Sequence, residues 1–258
     1  MKAFLIDTNV VLDIVYSQRP RYQNAENFYR GFSNKQLAVE PKVHKECNKV
    51  LMDHAWAFSS DLQGYIYSDR KKSKKPWDSL RPAQRKTILN NFMTFVSKQD
   101  PNQDGKVPFY KQIIERVGTE LSRLSLLDLK DFLVELSQSM WDHLRSEVRA
   151  RFEYYVPVGD ITNEAHYKFI SDLKSKLSSN YFNGKQSEDR LILTSVIHLI
   201  AFGDINGNEF DTITFYTYDE PFLNVYQSLL ANPPLFQEKE YNTYLTKGLK
   251  GLTMEKPY

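Results

Sequence analysis

The sequence predicts an α/β fold: a parallel sheet flanked by helices and interrupted by a long, mainly helical insertion. Three observations carry that prediction. Short apolar runs at residues 3–6, 36–39 and 212–217 have strand length, and each is followed by a segment whose apolar residues recur at helical spacing. The first run stops at Asp7 and the last leads into Asp219, so acids stand where parallel strands end. Between about residues 53 and 180, helical patterns alone recur, with a short strand at 154–158 as the single exception.

Taken in order, residues 3–6 read as a strand, 7–9 as polar turn chemistry, and Val10, Val11, Ile14 and Val15 as one helix face with Asp13 turned outward. A second helix over 21–32 sets Ala25, Phe28, Tyr29 and Phe32 on one side. After the strand at 36–39, Pro41 suits the first turn of a long helix whose inner face carries Val43, Cys47, Val50, Leu51 and Phe58. Inside the insertion, Ile88, Leu89, Phe92, Phe95 and Val96 mark a helix, and a run from 126 to about 152 repeats apolar residues every three or four positions. Another helix follows at 164–177. Ser187 suits the cap of a nearly all-apolar helix over 188–202, and 222–230 is helical after the last strand. Asn232-Pro233-Pro234 punctuates the end of the core, which leaves 235–258 as a tail on the surface or on a partner. The predicted division is a core of 1–52 and 181–232, an insertion of 53–180 and a tail of 233–258.

Composition narrows the functional classes. The lone Cys47 cannot form an internal disulfide, which points to a reducing, cytoplasmic setting. No signal peptide is visible, and the apolar run at 191–202 is broken by Thr194, Ser195 and His198 and is too short to span a bilayer. Net charge is only +2, yet the segment 70–86 holds eight basic residues against one acid, Asp78. Arg70, Lys71, Lys72, Lys74, Lys75, Arg81 and Arg85, with Trp77 among them, are therefore the candidate contacts to a nucleic acid: cations for phosphates and a ring for an unpaired base.

Four acids form the candidate site. Asp7 and Asp219 close strands, whereas Glu46 and Asp189 border the apolar faces of their helices. Singly, each has a structural explanation as a cap or a first-turn acid. Parallel strands, however, bring their carboxyl ends to one edge, and ligands of open α/β sheets bind there. Carboxylates gathered in a partly dry cleft repel one another and call for hard divalent cations with oxygen ligands. Such a cluster suits metal-assisted phosphodiester hydrolysis, with no protein nucleophile.

IDTNVVLD at the first acid, KECNKVL at Glu46, EDRLILTSVIHL at Asp189 and ITFYTYDEPF at Asp219 resemble, in order, the four acidic motifs of PIN-domain nucleases. The resemblance covers residues 1–52 and 181–230. It implies a doubly wound parallel sheet and a magnesium- or manganese-dependent ribonuclease, with Asp7, Glu46, Asp189 and Asp219 as the metal-binding acids. Asn9 matches the polar residue after the first acid, Thr217 matches the hydroxyl residue two before the last, and Glu188 is a neighbouring acid able to share the metal. The implied substrate is RNA, single-stranded by expectation, with single-stranded DNA left open. A non-catalytic module of the same fold, binding RNA or a protein through the insertion or tail, is the alternative.

Two other motifs fail. The opening stretch resembles the nucleophile loop of haloacid-dehalogenase-type phosphatases, but Asn9 stands where their general acid belongs. DPNQDG at 100–105 imitates half of a calcium loop, yet its twelfth position is Lys111, so an interhelical turn is the expectation.

Overall fold

A computed structural model describes residues 1–32, 37–73, 76–101, 105–158, 164–182 and 187–258, and for 69–73, 179, 180 and 187 the backbone alone. Its elements are β1 (Lys2–Ile6), α1 (Thr8–Val15), α2 (Tyr22–Arg30), β2 (Leu37–Val39), α3 (Pro41–Ser73), a 3-10 turn (Trp77–Ser79), α4 (Pro82–Gln99), α5 (Val107–Leu121), α6 (Leu126–Arg151), β3 (Glu153–Tyr154), α7 (Glu164–Asn180), α8 (Ser187–Phe202), β4 (Thr212–Tyr216), α9 (Glu220–Ala231), α10 (Lys239–Gly251) and β5 (Leu252–Glu255). The chain is α/β, with one five-stranded sheet of order β3-β2-β1-β4-β5 in which every pair is parallel. Residues on both faces of its central strands are buried, including Leu5, Ile6, Ala38, Ile213 and Phe215, as a parallel sheet requires.

Two compact units emerge. The first comprises Met1–Val11, Asn27–Cys47 and Arg151–Tyr258, and the second Leu12–Glu26 and Asn48–Ala150. The first holds the whole sheet. From β1 the chain steps to β2 and β3 on one side, and β4 and β5 lie on the other. The order therefore reverses between β1 and β4, and a crevice at their carboxyl ends is the natural ligand position.

Several expectations are corrected here. The segment 233–258 is no tail: α10 packs on α8, and β5 pairs with β4 as an edge strand of the sheet. Tyr241, Leu245 and Leu249 bury one face of α10, and Leu252 and Met254 alternate inward along β5. Two glycines allow the close approach, because a Cβ at Gly248 would stand 2.7 Å from Ile197 Cγ2 and one at Gly251 2.7 Å from the Asp211 carbonyl oxygen. Helix α7, assigned by sequence to the insertion, belongs to the sheet unit, whereas residues 12–26, assigned to the core, belong to the helical unit. The strand expected at 154–158 is only Glu153–Tyr154, followed by an isolated antiparallel bridge from Pro157 to Asp204. Proline has no N–H to continue a ladder.

In the helical unit, Phe58, Phe92, Phe109 and Tyr110 meet edge-on or stacked, and Leu62, Leu129, Leu133 and Leu144 are buried as well. Helix α5 escaped the sequence reading although Val107, Phe109, Tyr110, Ile113 and Leu121 are buried along it. Asp13 does not face outward: it is 1 % exposed and its Oδ1 pairs with Arg19 Nε at 2.8 Å. Phe95 is conversely exposed. In the turn at 100–105, Gly105 N donates to Asp100 Oδ2 at 3.1 Å, while 102–104 lie outside the described residues. Among the described residues no helix is long and apolar enough to cross a membrane.

Candidate functional site

The site begins where the central ladder ends. Ile6 pairs with Tyr216, and Asp7 N still donates to the Tyr216 carbonyl at 3.0 Å. Asp7 and Thr217 therefore leave adjacent strands side by side, and Thr217 Oγ1 donates to Asp7 Oδ2 at 2.8 Å. Thr8 N donates to Asp7 Oδ1 at 2.7 Å. The Thr8 hydroxyl turns the other way and donates to Glu46 Oε2 on α3 at 2.7 Å. Thr217 Oγ1 also accepts from Asp219 N at 3.0 Å, and Asp219 Oδ1 caps α9 by accepting from Phe222 N at 2.8 Å. Two threonines thus link Glu46, Asp7 and Asp219 into one network, all within the sheet unit.

Asp189, in the first turn of α8, joins them through charge. Partial burial pushes its carboxyl up to about 7, and Asp219, Asp7, Glu46 and Glu188 add to that rise. Burial likewise pushes Asp7 up to about 6, against the hydrogen bonds from Thr217 and Thr8 and with the repulsion of Glu46 and Asp219 added. Beside Glu46, burial raises the Cys47 thiol to about 12, which makes it an inert packing residue. All four predicted acids are brought into mutual electrostatic range. As donors they are hard oxygen ligands, the set that suits magnesium or manganese. Among the described residues no three His, Cys, Asp or Glu side chains already stand in an arrangement that could hold an ion.

The auxiliary residues divide. Thr217 is fully buried at the hub, whereas Asn9 and Glu188 are exposed. The nucleic-acid set fares worse. The side chains of Arg70, Lys71 and Lys72, and the whole of Lys74 and Lys75, lie outside the described residues. Trp77 and Arg85 are corrected outright. Trp77 is 2 % exposed and donates its ring N–H to the Leu124 carbonyl at 3.0 Å. The buried Arg85 guanidinium donates to the carbonyls of Trp77 (3.1 Å), Leu124 (2.5 Å) and Asp78 (3.3 Å), clamping this turn against α4. Neither presents a surface to RNA. Arg81 is exposed, and its backbone N–H is taken by Gln84 Oε1 at 2.9 Å at the start of α4.

Two residues escaped the sequence reading. Thr8 is the hub between Asp7 and Glu46, and its signal was the hydroxyl directly after a strand-end acid. Glu40, directly after β2, is fully buried, and its Oε2 accepts from the N–H groups of Lys42 (2.7 Å) and Val43 (3.3 Å) at the start of α3. Burial pushes this carboxyl up to about 7, against the pull of Ser195 and of those two N–H groups. A cavity of about 200 Å³ lies beside it, lined by Glu40, Lys42, Lys174, Thr194, Ser195 and His198 among others.

No known protein family matches the chain, and no curated protein or solved structure is similar to it.

Proposed function

We propose that this protein is a PIN-like, divalent-metal-dependent endoribonuclease that hydrolyses phosphodiester bonds of single-stranded RNA in the cytoplasm, with Asp7, Glu46, Asp189 and Asp219 as the acids that hold magnesium or manganese. The observation that carries this reading is the crowding of four carboxylates at the switch point of a parallel sheet, with Asp7 and Asp189 held at about 6 and about 7. Carboxylates raised by burial, and further by one another, are relieved by a bound cation. A divalent ion held there supplies an activated water and neutralises charge on the phosphate. The chain's own residues do the positioning. Thr217 and Thr8 fix both oxygens of Asp7, Thr8 ties Glu46 to the sheet edge, and Asp219 is oriented by the first turn of α9. The exposed Asn9 and Glu188 stand as auxiliary groups at the rim.

The alternative is a non-catalytic PIN-like module that binds RNA or a protein partner. Labelled single-stranded RNA and DNA, incubated with manganese or EDTA and with the parent or an Asp7→Asn variant, separate the two. Cleavage by the parent that both EDTA and the substitution abolish establishes the nuclease and its preferred polymer. RNA binding without cleavage establishes the module, and cleavage that survives Asp7→Asn removes the site from consideration.

A further inference from the structure

We infer that the cavity between α3 and α6 seats one unpaired base of single-stranded RNA, with Tyr67 as its stacking ring and Lys130 as the cation for the adjoining phosphate. The inference rests on the RNA part of the proposed function and not on the four acids, which belong to the other unit. The cavity has a volume of about 410 Å³, within the range of sites that enclose a small organic group. Its walls are apolar. Ile66 on α3 and Leu129 on α6 are buried, and Leu126 is half-buried in the first turn of α6. Trp77, from the turn that follows α3, is the inner wall, held there by the N–H that it gives to the Leu124 carbonyl.

The mouth is built differently. Tyr67 lines the cavity yet is 59 % exposed, so its ring stands between the cavity and solvent. Gly64 lies one turn earlier, and a Cβ there would meet nothing within 4 Å, which leaves bare helix backbone beside the ring. A flat π system fits such an opening, stacked on the tyrosine with its edge toward the apolar walls. Gln63 gives its amide N–H to the Ser59 hydroxyl at 3.1 Å and keeps its carbonyl oxygen as an acceptor for an amino group of a base. Charge selects the kind of ring. Lys130 is exposed and, among the described residues, forms no salt bridge. Two neighbouring acids are engaged: Asp78 Oδ1 accepts from Leu126 N at 2.7 Å, and Asp128 Oδ2 from the Ser125 hydroxyl at 2.6 Å. Beyond Tyr67, α3 runs on through Arg70, Lys71 and Lys72. A ring flanked by negative charge complements these features, and an unpaired nucleotide within a strand is such a group.

The test is binding of a fluorescent oligocytidylate to the full chain in EDTA, beside the same strand made abasic, which keeps the phosphates and removes the rings. The parent is compared with Tyr67→Leu, Tyr67→Phe and Lys130→Gln, all at exposed positions. Tyr67→Leu is expected to weaken binding of the intact strand by about 5- to 150-fold and to leave the abasic strand unchanged. Tyr67→Phe is expected to keep the parental affinity. Lys130→Gln is expected to weaken both strands, with the slope of log K against log salt shallower by about 0.7. Parental affinity in Tyr67→Leu, or an equal loss on intact and abasic strands, overturns the base seat. Free cytidine monophosphate bound as tightly as the strand overturns it in favour of a free-nucleotide site, and capture of an acidic amphipathic peptide in place of RNA does so in favour of a protein partner. A parent that cleaves RNA in manganese while Tyr67→Leu binds as it does keeps the nuclease and loses the seat. A parent that binds RNA through Tyr67 yet never cleaves keeps the seat and loses the nuclease.

Discussion

Glu40→Gln tests the buried cap most directly. The carboxyl is fully buried and sits at about 7 instead of its ordinary 4.5. Between those two values the folded state keeps a proton that the unfolded chain has released. Stability is therefore highest below pH 4.5 and falls as pH rises through 7, where the cost is fully present. A rise from 4.5 to about 7 corresponds to about 3 kcal/mol. Glutamine keeps a carbonyl oxygen for the Lys42 and Val43 N–H groups and offers its amide to Ser195, but it never ionises. Near pH 4.5 the parent and the variant are expected to unfold together. At pH 8 the variant is expected to be about 3 kcal/mol more stable, or about 6–12 °C in Tm for a chain of this size. Asp7 and Asp189 titrate in the same range, yet they are present in both proteins and cancel in the difference. Thermal unfolding followed by circular dichroism at half-unit steps from pH 4.5 to 8, in EDTA, measures it. Parallel curves, with a gap independent of pH, refute the assignment of a desolvated carboxyl at the start of α3.

Three further substitutions probe other parts of the argument. Arg85→Ala leaves one buried and two part-buried carbonyls without their donor and is expected to cost about 2–3 kcal/mol in urea unfolding, against under about 0.5 for the exposed Arg81→Ala. An Arg85→Ala variant that loses RNA binding with full stability would restore Arg85 as a nucleic-acid contact. Thr8→Val removes the hydroxyl between β1 and Glu46, so the upward shift in Tm produced by manganese is expected to be smaller than in the parent; an equal shift shows that Glu46 needs no tether. Gly251→Ala drives a methyl to 2.7 Å from both the Asp211 carbonyl oxygen and Ile200 Cγ2, so a loss of about 1–3 kcal/mol is expected. Gly64→Ala, in the exposed middle of α3 with nothing within 4 Å, is expected to gain up to about 1 kcal/mol. Equal effects at the two glycines would mean that α10 does not press on its neighbours as described.

Local chemistry was enough to read β1, β2 and β4, most of the helices, and the acids that end strands, because periodicity and caps act within a few residues. Asp7 announces itself as a polar stop after a buried run, and the first turn of α8 carries its acids in plain view. What brings Glu46, Asp189 and Asp219 toward Asp7 is strand order and parallel pairing, a set of contacts between residues as far as 210 positions apart, for which no local pattern exists. The same holds for Thr8, whose hydroxyl looks like ordinary turn chemistry until Glu46 stands 2.7 Å away. Trp77 and Arg85 sit in a basic stretch that composition assigns to a nucleic-acid surface, and only the packing of the turn against α4 turns them inward. Asp13 was expected outside because it lies off the helix face made by Val10, Val11, Ile14 and Val15, and it is inside because Arg19 meets it there. The last strand shows the division most plainly. Leu252–Glu255 is four residues long, too short to signal a strand by itself, and it becomes one because the edge of β4 offers it a ladder and two glycines let α10 lie close enough to deliver it. Sequence sets what each segment can be; the energy of long-range burial and pairing decides which segments meet.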